Sequence, residues 1–175
     1  MIKGLEQFVP SKVCLSCDGC CRFKEQESMW RPKITSGEMA ATGKPDLLSV
    51  IYSKDKVDTK TGHIKTAPCT DGEHHFCSFF APATNTCTVY DVRPFECQLY
   101  PFVLTRDNGK VVVSVHHHCP YVQEKRNTEE FQKYAKSLKI FFAREEIIEI
   151  VKRNPALAGE YADYKDELEP IFTVL

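Results

Sequence analysis

Apolar positions recur along this chain at two different periods, and the change of period predicts where helices and strands lie. From Asn127 onward Phe131, Tyr134, Leu138, Phe141, Phe142, Ile148 and Val151 fall at helical spacing and form one apolar stripe. Asn127 can cap that helix, with Glu130 three residues on. Asn154-Pro155 stops it and opens a shorter terminal helix over residues 155–169, because proline suits a first helical position. Upstream, Tyr100-Pro-Phe-Val-Leu-Thr and Lys110-Val-Val-Val-Ser-Val flank Asp107-Asn-Gly109, the strongest hairpin signal in the chain. A second hairpin is predicted over residues 48–67, where β-branched residues surround Thr61-Gly62. Residues 34–41 read as a short helix with Thr35 and Glu38 as a capping box, ended by Gly43 and Pro45. Residues 1–13 are a lead-in with Pro10 as a stop. Residues 68–98 are rich in turns, so something other than a strand ladder has to order them, and a metal would do so.

These elements predict an α+β fold: a small cysteine-rich core with short β-hairpins, followed by C-terminal helices. At 175 residues the chain is long enough for one domain with a hydrophobic core. Residues 14–121 would form the cysteine-bearing part and residues 127–169 the helices. A hydrophobic fraction of 42% with 27% charged residues marks a globular chain rather than a disordered one. The net charge of -1 leaves no basic excess for binding nucleic acid. No apolar run is long enough to span a bilayer. The N-terminal MIKGLEQFVPSKVC lacks the apolar stretch of a secretory signal, which points to the cytoplasm and to reduced thiols.

That compartment decides how nine cysteines are read, since an odd count also leaves one thiol outside any set of disulfides. Four of them stand in Cys14-Leu-Ser-Cys17-Asp-Gly-Cys20-Cys21, and the others are Cys69, Cys77, Cys87, Cys97 and Cys119. A two-residue gap lets two thiolates converge on one metal. If the opening segment is helical, Cys14, Cys17 and Cys21 share a face. If it is a loop, Gly19 lets backbone N–H groups turn towards sulfur. Adjacent Cys20 and Cys21 point in different directions on most backbones, which favours a paired or bridged arrangement. Ferredoxin spacing is met by Cys14, Cys17 and Cys20 only, because Lys24 stands at the fourth position. Zinc ribbons carry two CxxC pairs, whereas the later thiols here are dispersed, which argues for an iron–sulfur cluster over zinc. His74 and His75 before Cys77, and His116, His117 and His118 before Cys119, are further candidate ligands.

The run from Cys77 to Cys97 contains Cys87-Thr-Val-Tyr90-Asp-Val-Arg93-Pro94-Phe-Glu-Cys97. With the opening CLSCDGCC and the later Cys119-Pro120, it resembles the YkgJ-like cysteine-cluster family, the CxxCxxCC zinc- or iron-chelating domain that also includes the flagellin lysine N-methylases. The resemblance covers about residues 14–121. It implies a metal core of eight thiols: Cys14, Cys17, Cys20, Cys21, Cys77, Cys87, Cys97 and Cys119. Cys69 is then a spare ligand or a buried thiol. Tyr90 and Arg93 belong to the family-like motif, and Arg93 can donate to a cluster sulfur, bind an anionic ligand or pack the turn between Cys87 and Cys97. The chain departs from the family where Gln98 replaces a frequent arginine and Tyr121 a frequent glycine.

No dinucleotide-binding GxGxxG follows a strand, and no Walker A motif is present. Three functions remain. The first is an iron–sulfur protein, with 4Fe-4S clusters, acting in redox chemistry or in cluster-assisted methyl transfer from S-adenosylmethionine to a protein lysine. Its partner would be a protein substrate or a redox protein. The second is a zinc-binding interaction module closed by four thiolates per ion. The third is a metal-handling protein that passes its ion to a client.

Overall fold

A computed structural model describes residues 4–41 and 55–175, and the chain divides into two compact units. One runs over Ser11–Cys97. The other is Gln98–Leu175 together with the N-terminal segment that ends at Pro10. Helices and antiparallel sheets alternate through both, so the fold is α+β.

In the first unit the elements are short. They are helix α1 (Ser11–Cys14), a 3-10 turn (Gly19–Cys21), strand β1 (Arg22–Phe23), helix α2 (Ser36–Ala41), and strands β2 (Thr66–Pro68), β3 (His75–Cys77), β4 (Phe80–Ala81) and β5 (Thr86–Cys87). A second 3-10 turn (Tyr90–Val92) leads to helix α3 (Phe95–Leu99). Strands β1, β3 and β2 form one antiparallel sheet with β3 in the centre, and β4 pairs with β5. Their apolar side chains meet in a cluster of Phe23, Ile34, Val57, Ile64, Cys77, Phe79, Phe80 and Val89, with Trp30 and Met39 packed against it.

Local hydrogen bonds hold these fragments together. Glu38 accepts from the Thr35 N–H at 2.7 Å while the Glu38 N–H donates to the Thr35 hydroxyl at 3.1 Å, the reciprocal capping box expected for α2. The other Glu38 oxygen accepts from the Phe95 N–H at 2.8 Å and so ties α2 to the start of α3. The hairpin predicted over residues 48–67 lies partly outside the described residues, as do Gly43 and Pro45. Its far end is present: Val57 and Ile64 form an antiparallel bridge, and Gly62 turns the chain with φ +75.

The second unit is built on a longer sheet. Strands β6 (Phe102–Asp107) and β7 (Lys110–His116) form the predicted hairpin. Asn108 and Gly109, at φ 48 and 79, make the left-handed turn that matches strand twist. Helices α4 (Pro120–Lys125), α5 (Glu129–Phe142) and α6 (Glu145–Arg153) follow. The predicted long helix breaks at Ala143 and Arg144, which re-phases its stripe: Phe131, Leu138, Phe141 and Phe142 are buried from α5, and Ile147 with Val151 from α6. Thr128 rather than Asn127 is the cap, its hydroxyl accepting from the Phe131 N–H. Phe8 stacks edge-on to Phe102 and Phe131, at ring distances of 5.7 and 5.5 Å.

The terminal helix predicted over residues 155–169 does not form. Pro155–Leu157 and Ala162–Glu167 are 3-10 turns, and strand β8 (Leu168–Thr173) pairs antiparallel with β7. Pro170 concealed the strand, yet it is accommodated because β8 is an edge strand whose register shifts beside it, between Val113 and Ser114. On the opposite edge Gly159 bridges to Thr105, accepting from the Arg106 N–H at 2.9 Å and donating to the Leu104 carbonyl at 3.0 Å. Among the described residues no helix is long and apolar enough to cross a membrane.

Candidate metal centre

All nine cysteines are thiols, with no disulfide among them. Eight of them, all but Cys119, lie in the first unit. The opening segment takes the loop geometry rather than a continuous helix. Helix α1 ends at Cys14, the Cys17 N–H bonds back to the Cys14 carbonyl at 3.2 Å, and Asp18 starts the 3-10 turn that carries Cys20 and Cys21. Gly19 donates its N–H to the Cys17 sulfur at 3.4 Å. An Arg22–Asp18 ion pair at 2.6 Å closes the same turn.

This turn brings Cys20 and Cys21 side by side instead of splaying them. The Cys21 thiol donates to Cys20, which lowers the Cys20 pKa and raises that of Cys21. Cys20 is also the electrostatic hub of the unit. Charge on it raises the pKa of Cys14, Cys21, Cys77, Cys87 and Cys97, so these thiols lie within electrostatic reach of it. Three of these thiols are carried by regular elements. Cys77 ends β3, Cys87 ends β5 opposite Phe80, and Cys97 sits in α3. Cys17 joins through Cys14, on which its charge acts.

Desolvation dominates the thiol chemistry. It pushes Cys14 up to about 11 and Cys77 up to about 12, and raises Cys87 and Cys97 as well. Cys14, Cys77, Cys87 and Cys97 therefore stay protonated near neutral pH unless a cation replaces their protons. A soft metal reverses their mutual repulsion, so the donor set fits a thiolate-bound zinc or iron group. Among the described residues no three of these sulfurs lie mutually within 4.8 Å.

Tyr90 and Arg93 both stand at this cluster. Tyr90 hydrogen-bonds the Cys14 sulfur, and the Arg93 guanidinium favours the thiolate forms of Cys14, Cys20 and Cys87. Arg93 is steered there by its bond to the Tyr90 carbonyl, at 2.6 Å, and by lying 4.0 Å over the Tyr90 ring. Sequence reasoning missed Glu96. Its carboxyl is buried, its pKa is raised by desolvation to about 7, and it holds the Lys33 ammonium at 3.9 Å next to Cys97. The one available signal was an acid placed directly before a motif cysteine.

Other candidates of the first unit have other neighbours. Cys69 is buried, and its charged neighbours are Asp71, Arg22 and Asp18 rather than thiols. His74 pairs with Asp71 at 3.0 Å. His75 lies in β3 opposite Phe23. Cys119 is buried at the head of α4 in the second unit, after His116, His117 and His118.

A family model titled CxxCxxCC, "Putative zinc- or iron-chelating domain", matches residues 13–154. No curated protein and no solved structure matches the chain.

Proposed function

Since the chain belongs to the CxxCxxCC family of zinc- or iron-chelating domains, we propose that its first unit holds an iron–sulfur cluster of the 4Fe-4S type. The ligands would come from the thiols gathered about Cys20: Cys14, Cys17, Cys20, Cys21, Cys77, Cys87 and Cys97. The spacing of these sulfurs carries the reading. A tetrahedral zinc with thiolates at about 2.3 Å draws its sulfurs to ~3.8 Å of one another. Among the described residues no trio of these sulfurs is that close, though Cys20, Cys77 and Cys87 all act on the protonation of Cys97. A cluster seats each thiolate on a different iron and accepts the wider spacing.

Such a group supplies electron transfer or, by resemblance to the flagellin lysine N-methylases, supports methyl transfer from S-adenosylmethionine to a protein lysine. The chain's own part is electrostatic. Arg93 offsets the negative charge gathered on Cys14, Cys20 and Cys87, and the Tyr90 hydroxyl donates to Cys14. Donors to cluster sulfurs raise a reduction potential. Nine cysteines without a disulfide among them suit a reducing compartment, and we assign the protein to the cytoplasm.

Iron and acid-labile sulfide analysis of protein purified without oxygen tests this directly, with a visible spectrum alongside. Comparable iron and sulfide in a brown protein is the expected result. Zinc without sulfide overturns it in favour of a closed structural site. Calorimetry of the loaded protein with S-adenosylmethionine then decides the methyl-transfer branch, which an absent response removes.

A further inference from the structure

The second unit carries a metal-ligating constellation that contains no thiol. Strand β7 ends at His116, and β8 begins at Leu168 opposite it. The 3-10 turn before β8 ends at Glu167, whose carbonyl accepts from the His117 N–H at 2.9 Å. This crossing places three ligand atoms in a small triangle. His116 Nε2 lies 3.3 Å from Glu167 Oε2, His118 Nδ1 lies 3.0 Å from the same oxygen, and the two ring nitrogens are 3.2 Å apart. Among the described residues it is the one set of three or more His, Cys, Asp or Glu ligand atoms mutually within 4.8 Å.

We propose that His116, His118 and Glu167 form a mononuclear site for a borderline divalent cation, zinc or iron(II), with at least one coordination position open to solvent. The edges of the triangle fit such an ion. Ligands held at about 2.0–2.1 Å in a tetrahedron stand ~3.3 Å apart. Hydrogen bonding alone satisfies the triangle poorly. If each imidazole donates to the shared carboxylate oxygen, two N–H groups face each other across 3.2 Å. A cation at the centre uses all three lone pairs at once. Two imidazoles and one carboxylate with open positions are a donor set for zinc or non-haem iron(II), unlike the thiolates of the first unit.

The surroundings also orient the ligands. The Tyr100 hydroxyl lies 3.2 Å from His116 Nδ1. With Nε2 on the metal, Nδ1 carries the proton and donates it to that oxygen, which fixes tautomer and ring plane. The backbone of His116 is pinned by its N–H bond to the Pro101 carbonyl at 2.9 Å. His117 is directed elsewhere, with Nε2 3.4 Å from Glu169 and Nδ1 3.4 Å from Arg126. Side-chain exposure grades across the three ligands, from 10% at His116 through 32% at Glu167 to 63% at His118. The triangle is therefore anchored on one side and open on the other, which gives an ion a way in.

Cobalt(II) titration of the full chain, purified without oxygen, tests the site. The expected result is one equivalent that develops weak ligand-field bands without the intense thiolate-to-cobalt absorption. His118→Ala, at an exposed position, and Glu167→Gln should each weaken that equivalent about tenfold or more, and Tyr100→Phe by about 10–100-fold. Absorption from the thiols should stay at the wild-type level in all three, and hydrogen-exchange protection at residues 102–116 reports that the second unit is folded. A wild-type protein that takes up no thiolate-free cobalt overturns the proposal. So does wild-type affinity in His118→Ala, even where Glu167→Gln fails to fold. Difference spectra against the same protein without cobalt remove whatever absorption the thiol group contributes, so failure of this site and failure of the cluster reading are told apart.

Discussion

Strand β7 is buried at six consecutive positions and hydrogen-bonded on both sides, whereas no described strand of the first unit exceeds three residues. The second unit thus rests on a ladder and on large buried side chains such as Phe102, Leu104, Val115 and Leu138. The first unit has a smaller apolar cluster and directs much of its chain towards sulfur. One region carries its stability in transferred apolar surface, the other in a capping box, an ion pair and a group of thiols beside Arg93. The lesson is that burial serves opposite ends in the two. Around β7 it removes hydrocarbon from water. Around Cys20 it holds thiols protonated until a metal displaces the protons.

The strongest way to break this comparison is to strip the metal. Chelation should cost the first unit on the order of 10 kcal/mol. Hydrogen exchange should then show lost protection at residues 19–23 and 75–77, with residues 102–116 still protected. Equal loss in both units would end the distinction. Cys17→Ala and Cys97→Ala should reproduce the effect, with metal content falling in each. Acid acts in the same sense: lowering the pH returns protons to sulfur, so metal should be released progressively on acidification, read as free metal with an indicator dye.

Phe102→Ala probes the other side of the comparison. Phe102 is fully buried, and its loss should cost about 3–5 kcal/mol in a denaturant melt while metal content stays unchanged. Glu38→Ala should cost roughly 1–2 kcal/mol, because it removes the capping box and the bond to Phe95 together. That loss should be confined to exchange rates in the first unit. The smallest effect belongs to Gly109→Ala, which forces a side chain into a positive φ in otherwise open space and should cost about 1 kcal/mol of melting stability.

How far the fold was legible follows from the same contrast. The Asn108-Gly109 hairpin and the Thr35–Glu38 capping box were readable because a few adjacent residues dictate them. The β8 strand was not, because Pro170 is a breaker in isolation and is tolerated only at an edge with a register shift. The break of the long helix was hidden too, since Ala143 and Arg144 are both good helix formers. For the site, spacing drew notice to the opening thiols and the family-like motif to Tyr90 and Arg93, which stand near Cys14 and Cys20. It misjudged Cys20 and Cys21, which a 3-10 turn sets in contact. It also passed over Glu167, which reaches His116 from 51 residues away through strand pairing.

The two edges of the second sheet have a consequence for how the protein behaves at high concentration. Open strand edges recruit other chains and seed fibres. Here one edge is occupied by the backbone of Gly159, where a Cβ would stand 2.5 Å from the Tyr161 ring, and the other is interrupted by Pro170. Strand-by-strand polymerisation is therefore obstructed at a point on each side, and a side chain as small as alanine at residue 159 would remove one of the obstructions.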